Sequence, residues 1–331
     1  MASRRRVTLS DVASRAGVSV TTASYILNGR ASQMRISQDA SSRVRAAAQE
    51  LSYRPNLNAR SLRTSQTSAI GVISDHVASG AYASQMLSGA SAAARASDHV
   101  LIIGESEGNR TVEDRLVEEL IDRQVDGMLY LTLTTSRVKL SPTLRQQKLV
   151  LLNCADETGR FSSVLPDEFG GGQTAARVLL DAGYADGIWI VGQDPDPFAF
   201  AGSLRLDGIG HQLGAAGVAP SGVVVCDWSV VPAYEAVVAM LETERPRALI
   251  CLNDRIAMGA YQALAEHGLS VPHDVAVVSF DGSDLASWLR PRLTSVAIPY
   301  ADLGAVAVEL LLSGETATRR LPMPLQAGES V

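Results

Sequence analysis

From residue 69 onward the chain alternates short apolar runs with amphipathic stretches. The runs are Ala69–Ile73, Val100–Gly104, Gly127–Leu131, Lys148–Leu152, Gly187–Val191, Val223–Val225, Ala248–Cys251 and Val275–Ser279. Each is too short for a helix and nearly continuous in apolar residues, as in strands buried on both faces of a parallel sheet. Stretches such as Tyr82–Ala96 and Val112–Arg123 carry helical spacing between them. Strand and helix in alternation predict an α/β fold with helices on both sheet faces. There are too many strands for one sheet, so the body is expected to be two doubly wound lobes. The chain is expected to cross between them near Pro166, near Thr294–Pro299 and around Gly314–Leu321. That places the first lobe at about 68–165 and 296–314, and the second at about 166–295 and 318–331.

The first 54 residues show a different pattern. Thr8 and Asp11 are spaced as a capping box, followed by the apolar Val12, Ala13 and Ala16, and Gly17 ends the helix. Ser19 caps a second helix that turns Ala23, Ile26 and Leu27 inward and stops at Asn28-Gly29. Two short helices joined by a glycine turn form a helix-turn-helix, whose second helix fits the major groove of DNA. Val20, Thr21 and Tyr25 share the outward face and are candidates for base edges, with Thr22 for a phosphate. A third helix, from about Gln38 to Leu51 with Ser37 as cap, completes a three-helix domain over residues 1–54. Residues 55–67 follow as a linker whose Pro55-started helix spans about two turns, too short to be stable alone.

Composition places the chain among ordinary globular proteins: 331 residues, 46% hydrophobic, 19% charged. Cys154, Cys226 and Cys251 are far apart and lack CxxC spacing, which fits neither a disulfide framework nor a metal cluster. The absence of an 18-residue apolar run and the polar start after Arg4, Arg5 and Arg6 predict a cytoplasmic protein with no membrane partner. The net charge of −6 is uneven. Eleven arginines against Asp11, Asp39 and Glu50 give residues 1–65 a charge of +8, leaving −14 on the rest. A basic head on an acidic body reads as a nucleic-acid-binding module joined to a part with another task.

Thr8-Leu9-Ser10-Asp11-Val12-Ala13, Ala16-Gly17-Val18-Ser19, Leu27-Asn28-Gly29, Tyr53-Arg54-Pro55-Asn56 and Ala59-Arg60-Ser61-Leu62 occur in this order. In these motifs the chain resembles the lac-repressor (LacI/GalR) family of bacterial transcription regulators. The resemblance implies that Asn56–Arg63 is a hinge helix that folds on the operator, with Leu62 as the wedge in the minor groove and Ala59 beside it. Thr8, Ser19, Asn28, Tyr53 and Asn56, inside the same motifs, complete the expected DNA-binding set together with Arg30. Two features depart from the family pattern. Tyr25 stands where many members carry an arginine, and the loop from Asn28 to Ile36 is longer than usual. Arg30 and Arg35 in that loop either touch phosphates or face solvent.

The resemblance extends to the body, which looks like the periplasmic-binding-protein type I fold. Ligands of such sheets bind beyond the carboxyl ends of the strands, in the cleft between lobes. That rule selects Asp75 and His76, Asp227 and Trp228, Asn253, Asp254 and Arg255, and Asp281, with Arg205 on a helix beginning near Phe200. By resemblance, Arg205, Asn253 and Asp281 match positions that hold effector hydroxyls, and Trp228 one that stacks on a sugar face. Asp75 and Phe200 complete the candidate set. The residues leave other readings open: Asp281-Gly282 as a turn, Trp228 as core, Asn253 as a helix cap. The triplet Gly170-Gly171-Gly172 is read as close packing rather than an anion cradle.

The expected function is a dimeric, sequence-specific DNA-binding regulator, a repressor whose operator affinity follows a small effector, with a carbohydrate as first choice and a purine or nucleoside as second. The same architecture acting as an activator is the alternative. Neither metal nor cofactor is expected. An enzyme is disfavoured because no GxxxxGK[ST], GxGxxG after a strand, GxSxG or HExxH motif occurs. A solute-binding protein is disfavoured by the basic head.

Overall fold

The computed structural model describes residues 7–53, 67–76, 83–193 and 198–331. They fall into two compact units divided between Thr67 and Ser68. The hinge residues Asn56, Ala59 and Leu62 lie outside the described residues.

The first unit is a three-helix domain: α1 (Leu9–Ala16), α2 (Val20–Leu27) and α3 (Gln38–Glu50). Thr8 and Asp11 form a reciprocal capping box, and Gly17 takes the left-handed conformation (φ 67°) that closes α1. Ser19 accepts the Thr22 N–H at 3.0 Å and caps α2. Val12, Ala13, Ala16, Ala23, Ile26, Val44 and Ala47 form the core, and Tyr53 packs half-buried against it. Small apolar residues at the helix crossings let three short helices bury one stripe each.

The second unit holds two six-stranded sheets. Lobe one contains β1 (Ala69–Ser74), α4 (Ala83–Ala96), β2 (Val100–Glu105), α5 (Arg110–Asp122), β3 (Met128–Val138), β4 (Leu149–Asp156) and β5 (Ser162–Pro166). Lobe two contains α6 (Glu168–Asp181), β6 (Ile188–Val191), α7 (Ala201–Ala215), β7 (Gly222–Val224) and α8 (Val230–Thr243). It continues with β8 (Ala248–Cys251), α9 (Asp254–Glu266), β9 (Ala276–Asp281), α10 (Asp284–Trp288) and β10 (Thr294–Ala297). The chain then returns to lobe one as α11 (Tyr300–Ser313) and β11 (Thr318–Leu321), and ends in lobe two with β12 (Leu325–Gln326). Strand orders are β11-β5-β4-β3-β1-β2 and β12-β10-β9-β8-β6-β7, all pairs parallel except β10 with β12.

Three of these placements differ from the sequence expectation. Residues 318–321, expected in lobe two, pair with Ser163–Pro166 of β5 in lobe one. Their side chains are mostly exposed, so the backbone ladder rather than an apolar pattern places them. Residues 294–297, expected as a crossing and in part as lobe one, are a buried strand beside β9. The crossings therefore fall at Ile298-Pro299 and at Pro322–Pro324. Finally, β3 runs on through Thr132–Ser136 to Val138, past Leu131 where the apolar run ends in the sequence. That extension carries threonines to the gap between the lobes.

The glycine triplet does serve close packing. A Cβ at Gly172 would sit 2.2 Å from the Arg205 carbonyl oxygen, and one at Gly208 2.1 Å from that of Phe169. Helices α6 and α7 thus cross in backbone contact, which sets Glu168 and Arg205 side by side.

Candidate functional site

The head presents its chemistry outward. On α2, Val20 is 46% exposed, Thr21 is exposed, and Thr22 and Tyr25 are half-buried. Other members of the expected set are occupied locally. The Thr8 hydroxyl donates to Asp11 at 2.8 Å, the Ser19 and Thr22 hydroxyls meet at 2.8 Å, and the Asn28 amide donates to the Ser24 carbonyl at 2.7 Å. These bonds fix the start of α1 and both ends of α2, so Ser19, Thr22 and Asn28 shape the reading helix whatever else they touch. All three carboxylates of the head are engaged. Asp11 caps α1, Asp39 faces Arg43 at 3.5 Å, and Glu50 binds Arg15 at 2.9 Å. Arg30, Arg35 and Arg45 are exposed and in no ion pair among the described residues.

In the body, Leu133, Thr134, Thr135 and Asn153 from lobe one meet Glu168, Ala201, Arg205, Trp228, Asn253, Arg255 and Asp281 from lobe two around a cavity of about 140 Å³. Ile298 and Tyr300, at a crossing, close it. Arg205 is only 1% exposed. Its Nε donates to Glu168 Oε2 at 2.7 Å, its Nη1 to the Leu252 carbonyl, and Asp281 Oδ1 lies 3.6 Å from Nη1. The guanidinium is flanked by the rings of Phe280 at 4.6 Å and Trp228 at 5.3 Å. Burial pushes the Asp281 carboxyl up to about 8, with Arg205 pulling it down and the Asp254 and Glu168 charges adding to the rise. Asp281 also sits at φ 101°, a strained conformation for a non-glycine residue.

The neighbouring Asp254 explains how that strain is held. It is fully buried and accepts from the Ser279, Ser283 and Ser295 hydroxyls and the Ser283 N–H. The turn after Asp281 is thereby tied to three elements. Asn253 caps α9 by accepting the Ile256 N–H at 2.8 Å, and its amide reaches the Trp228 carbonyl at 3.3 Å. It is a cap and a cavity wall at once.

Contacts also run between the lobes. Thr135 Oγ1 donates to Asn153 Oδ1 at 2.8 Å or to Glu168 Oε1 at 3.1 Å, linking lobe one to the Glu168–Arg205 pair. The Arg137 N–H donates to the Phe198 carbonyl and the Phe200 N–H to the Thr135 carbonyl, each at 2.9 Å.

Of the six expected effector residues, Arg205, Trp228, Asn253 and Asp281 line the cavity, whereas Asp75 and Phe200 do not. Asp75 accepts from the Leu133 and His76 N–H groups and ties β1 to β3. Phe200 precedes α7, and its ring lies under Arg137 at 5.6 Å. Asp227 lines a separate open groove with Gln193 and Glu235. Thr134, Thr135, Asn153, Glu168 and Tyr300 were missed. The threonines and Asn153 lie at the carboxyl ends of β3 and β4, where the strand-end rule applies, but β3 was read as ending before them.

Residues 8–56 match the model of bacterial regulatory proteins of the lacI family, and residues 176–331 that of a periplasmic binding protein-like domain. The ribose operon repressor of Escherichia coli (strain K12) is 31% identical over 311 residues, 92% of each chain. The chain belongs to the LacI family of bacterial regulatory proteins. Catabolite control protein A of Priestia megaterium is likewise 31% identical over 313 residues, 92% of this chain and 91% of its own. Among solved structures, the lac repressor dimer bound to operator and the anti-inducer ONPF aligns with a TM-score of 0.81 and 25% identity, covering 98% of this chain and 99% of that one. The LacI-family assignment makes the protein a DNA-binding transcriptional regulator with a helix-turn-helix reading head and an α/β body. No helix among the described residues is long and apolar enough to cross a membrane.

Proposed function

We propose that this LacI-family regulator is a cytoplasmic, homodimeric repressor whose operator affinity is set by a single-ring sugar held in the inter-lobe cavity. The observation that carries the reading is the cavity itself. Arg205, Asn253, Asp281 and Trp228 converge there with Thr134 and Thr135 from the opposite lobe. Alternating donors and acceptors beside an aromatic ring suit vicinal hydroxyls and a C–H face. The buried indole N–H of Trp228 has no hydrogen-bond partner among the described residues, and a ligand hydroxyl would satisfy it. About 140 Å³ suits one ring, since cavities of about 150 Å³ accept benzene.

Because the lining comes from both lobes, a ligand there favours one lobe arrangement over another, and lobe one is the part that continues into the linker toward the head. Two heads would read half-sites one helical turn apart, with the hinge segments, including Leu62, meeting in the minor groove between them. Membership of the LacI family supports this arrangement. Gly89, Ala90 and Ala94 of α4 pack inside the lobe against α11, which leaves the exposed face with Ser84, Gln85, Ser88 and Ala92 for a dimer surface.

The test is calorimetry with a panel of neutral monosaccharides on the wild-type protein and on Trp228→Ala. One sugar is expected to bind the wild type, with at least tenfold weaker binding to the variant. A sugar that binds both proteins equally would move the site elsewhere.

A further inference from the structure

We propose that Glu168 sets the charge class of the effector: by holding Arg205 in an ion pair, it admits uncharged hydroxyl-bearing rings and shuts out carboxylates and phosphates. This rests on reading the cavity as the effector site. A buried arginine facing a ligand cleft is ordinarily a receptor for an anion, because its planar fork matches carboxylate and phosphate oxygens. Here two of the three guanidinium nitrogens are engaged from within the protein. Its Nε is bound to Glu168 at 2.7 Å, while Nη1 serves the Leu252 carbonyl and faces Asp281 at 3.6 Å. Aromatic rings stand over the guanidinium at 4.6 and 5.3 Å.

Glu168 has a fully buried side chain, so solvent does not screen it. Its other oxygen lies within hydrogen-bond distance of the Thr135 hydroxyl. The Asp281 carboxyl in the same small space, pushed up to about 8 by burial, is largely protonated at neutral pH and offers an anion no positive charge. The other lining cation, Arg255, is exposed, where solvent and salt weaken its pull. A neutral ring needs no counter-charge. Its hydroxyls can accept from the Trp228 N–H and donate to Asp281. From the sequence, Glu168 is an unremarkable acidic residue in a first helical turn. Its burial against Arg205 gives it a different role.

The experiment uses the full chain. D-glucose, D-galactose and D-ribose are titrated against D-glucuronate, D-galacturonate, D-ribonate and inorganic phosphate at matched ionic strength, with calorimetry and thermal unfolding as readouts. The wild type is expected to ignore all four anions, whereas Glu168→Gln, nearly isosteric but uncharged, gains at least tenfold in affinity for one of the sugar acids. Thr135→Val removes the inter-lobe hydrogen bond and keeps the charge, so it should stay blind to the anions. If Glu168→Gln does not fold, Glu168→Ala, which removes the same charge, carries the same test. The proposal is overturned if the wild type binds an acid as tightly as its neutral counterpart, if Thr135→Val gains the acids too, or if the folded charge variants remain as blind as the wild type. A wild type that ignores every neutral sugar while Glu168→Gln gains the acids would instead sink the sugar reading and leave the role of Glu168 standing.

Discussion

In the head, the five described arginines stand at the surface, and only Arg15 and Arg43 among them face a carboxylate. In the cleft, one arginine is almost wholly buried and meets two carboxyls. The contrast follows from the two ligands. A polyanion is bound by surface cations left free to displace its counterions, which costs little because solvent carries those cations until the DNA arrives. A small molecule in a cavity leaves no such freedom. A buried cation has to be compensated by the protein, and recognition falls to hydrogen bonds and ring faces. One chain thus uses the same side chain as an open contact at one end and as a closed scaffold at the other.

The largest expected effect breaks the closed side. Arg205→Ala would leave Glu168 and Asp281 buried without their cation, at a cost of about 3–5 kcal/mol, read as a shift of the urea midpoint of the body. A loss below about 1 kcal/mol would mean that the three groups are not one unit.

The open side responds differently. Arg30→Gln and Arg35→Gln should change stability by less than about 0.5 kcal/mol, because neither residue is buried. Each that touches a phosphate should lower the slope of log affinity against log salt on a mixed-sequence duplex by about 0.9. Unchanged slopes for both would assign the long loop after α2 to solvent.

The head was legible because its signals are local. Thr8 with Asp11, Gly17 and Ser19 each act within one helical turn, and the structure uses each as a cap. The strands of the body were legible where both faces are buried, as in β1 and β8. Strand β11 was not, since Thr318-Arg319-Arg320 on an exposed edge carries no apolar pattern and is held by its ladder to β5. The cleft was half legible. Arg205, Asn253, Asp281 and Trp228 stand where the strand-end rule looks, whereas Thr135 and Glu168 become site residues only through the late end of β3 and the backbone contact of α6 with α7. Asp75 fulfils the same rule but turns its carboxylate to the β3 backbone.

The central claim is that the closed cavity governs the open surface. It is tested most directly by measuring, at constant salt, the affinity of the full-length protein for an operator selected from a random-sequence library, with and without a neutral sugar shown by calorimetry to bind. Coupling of about 1–3 kcal/mol predicts a 5- to 150-fold change in DNA affinity that Trp228→Ala removes. A sugar that saturates the protein while operator affinity stays the same would contradict the account.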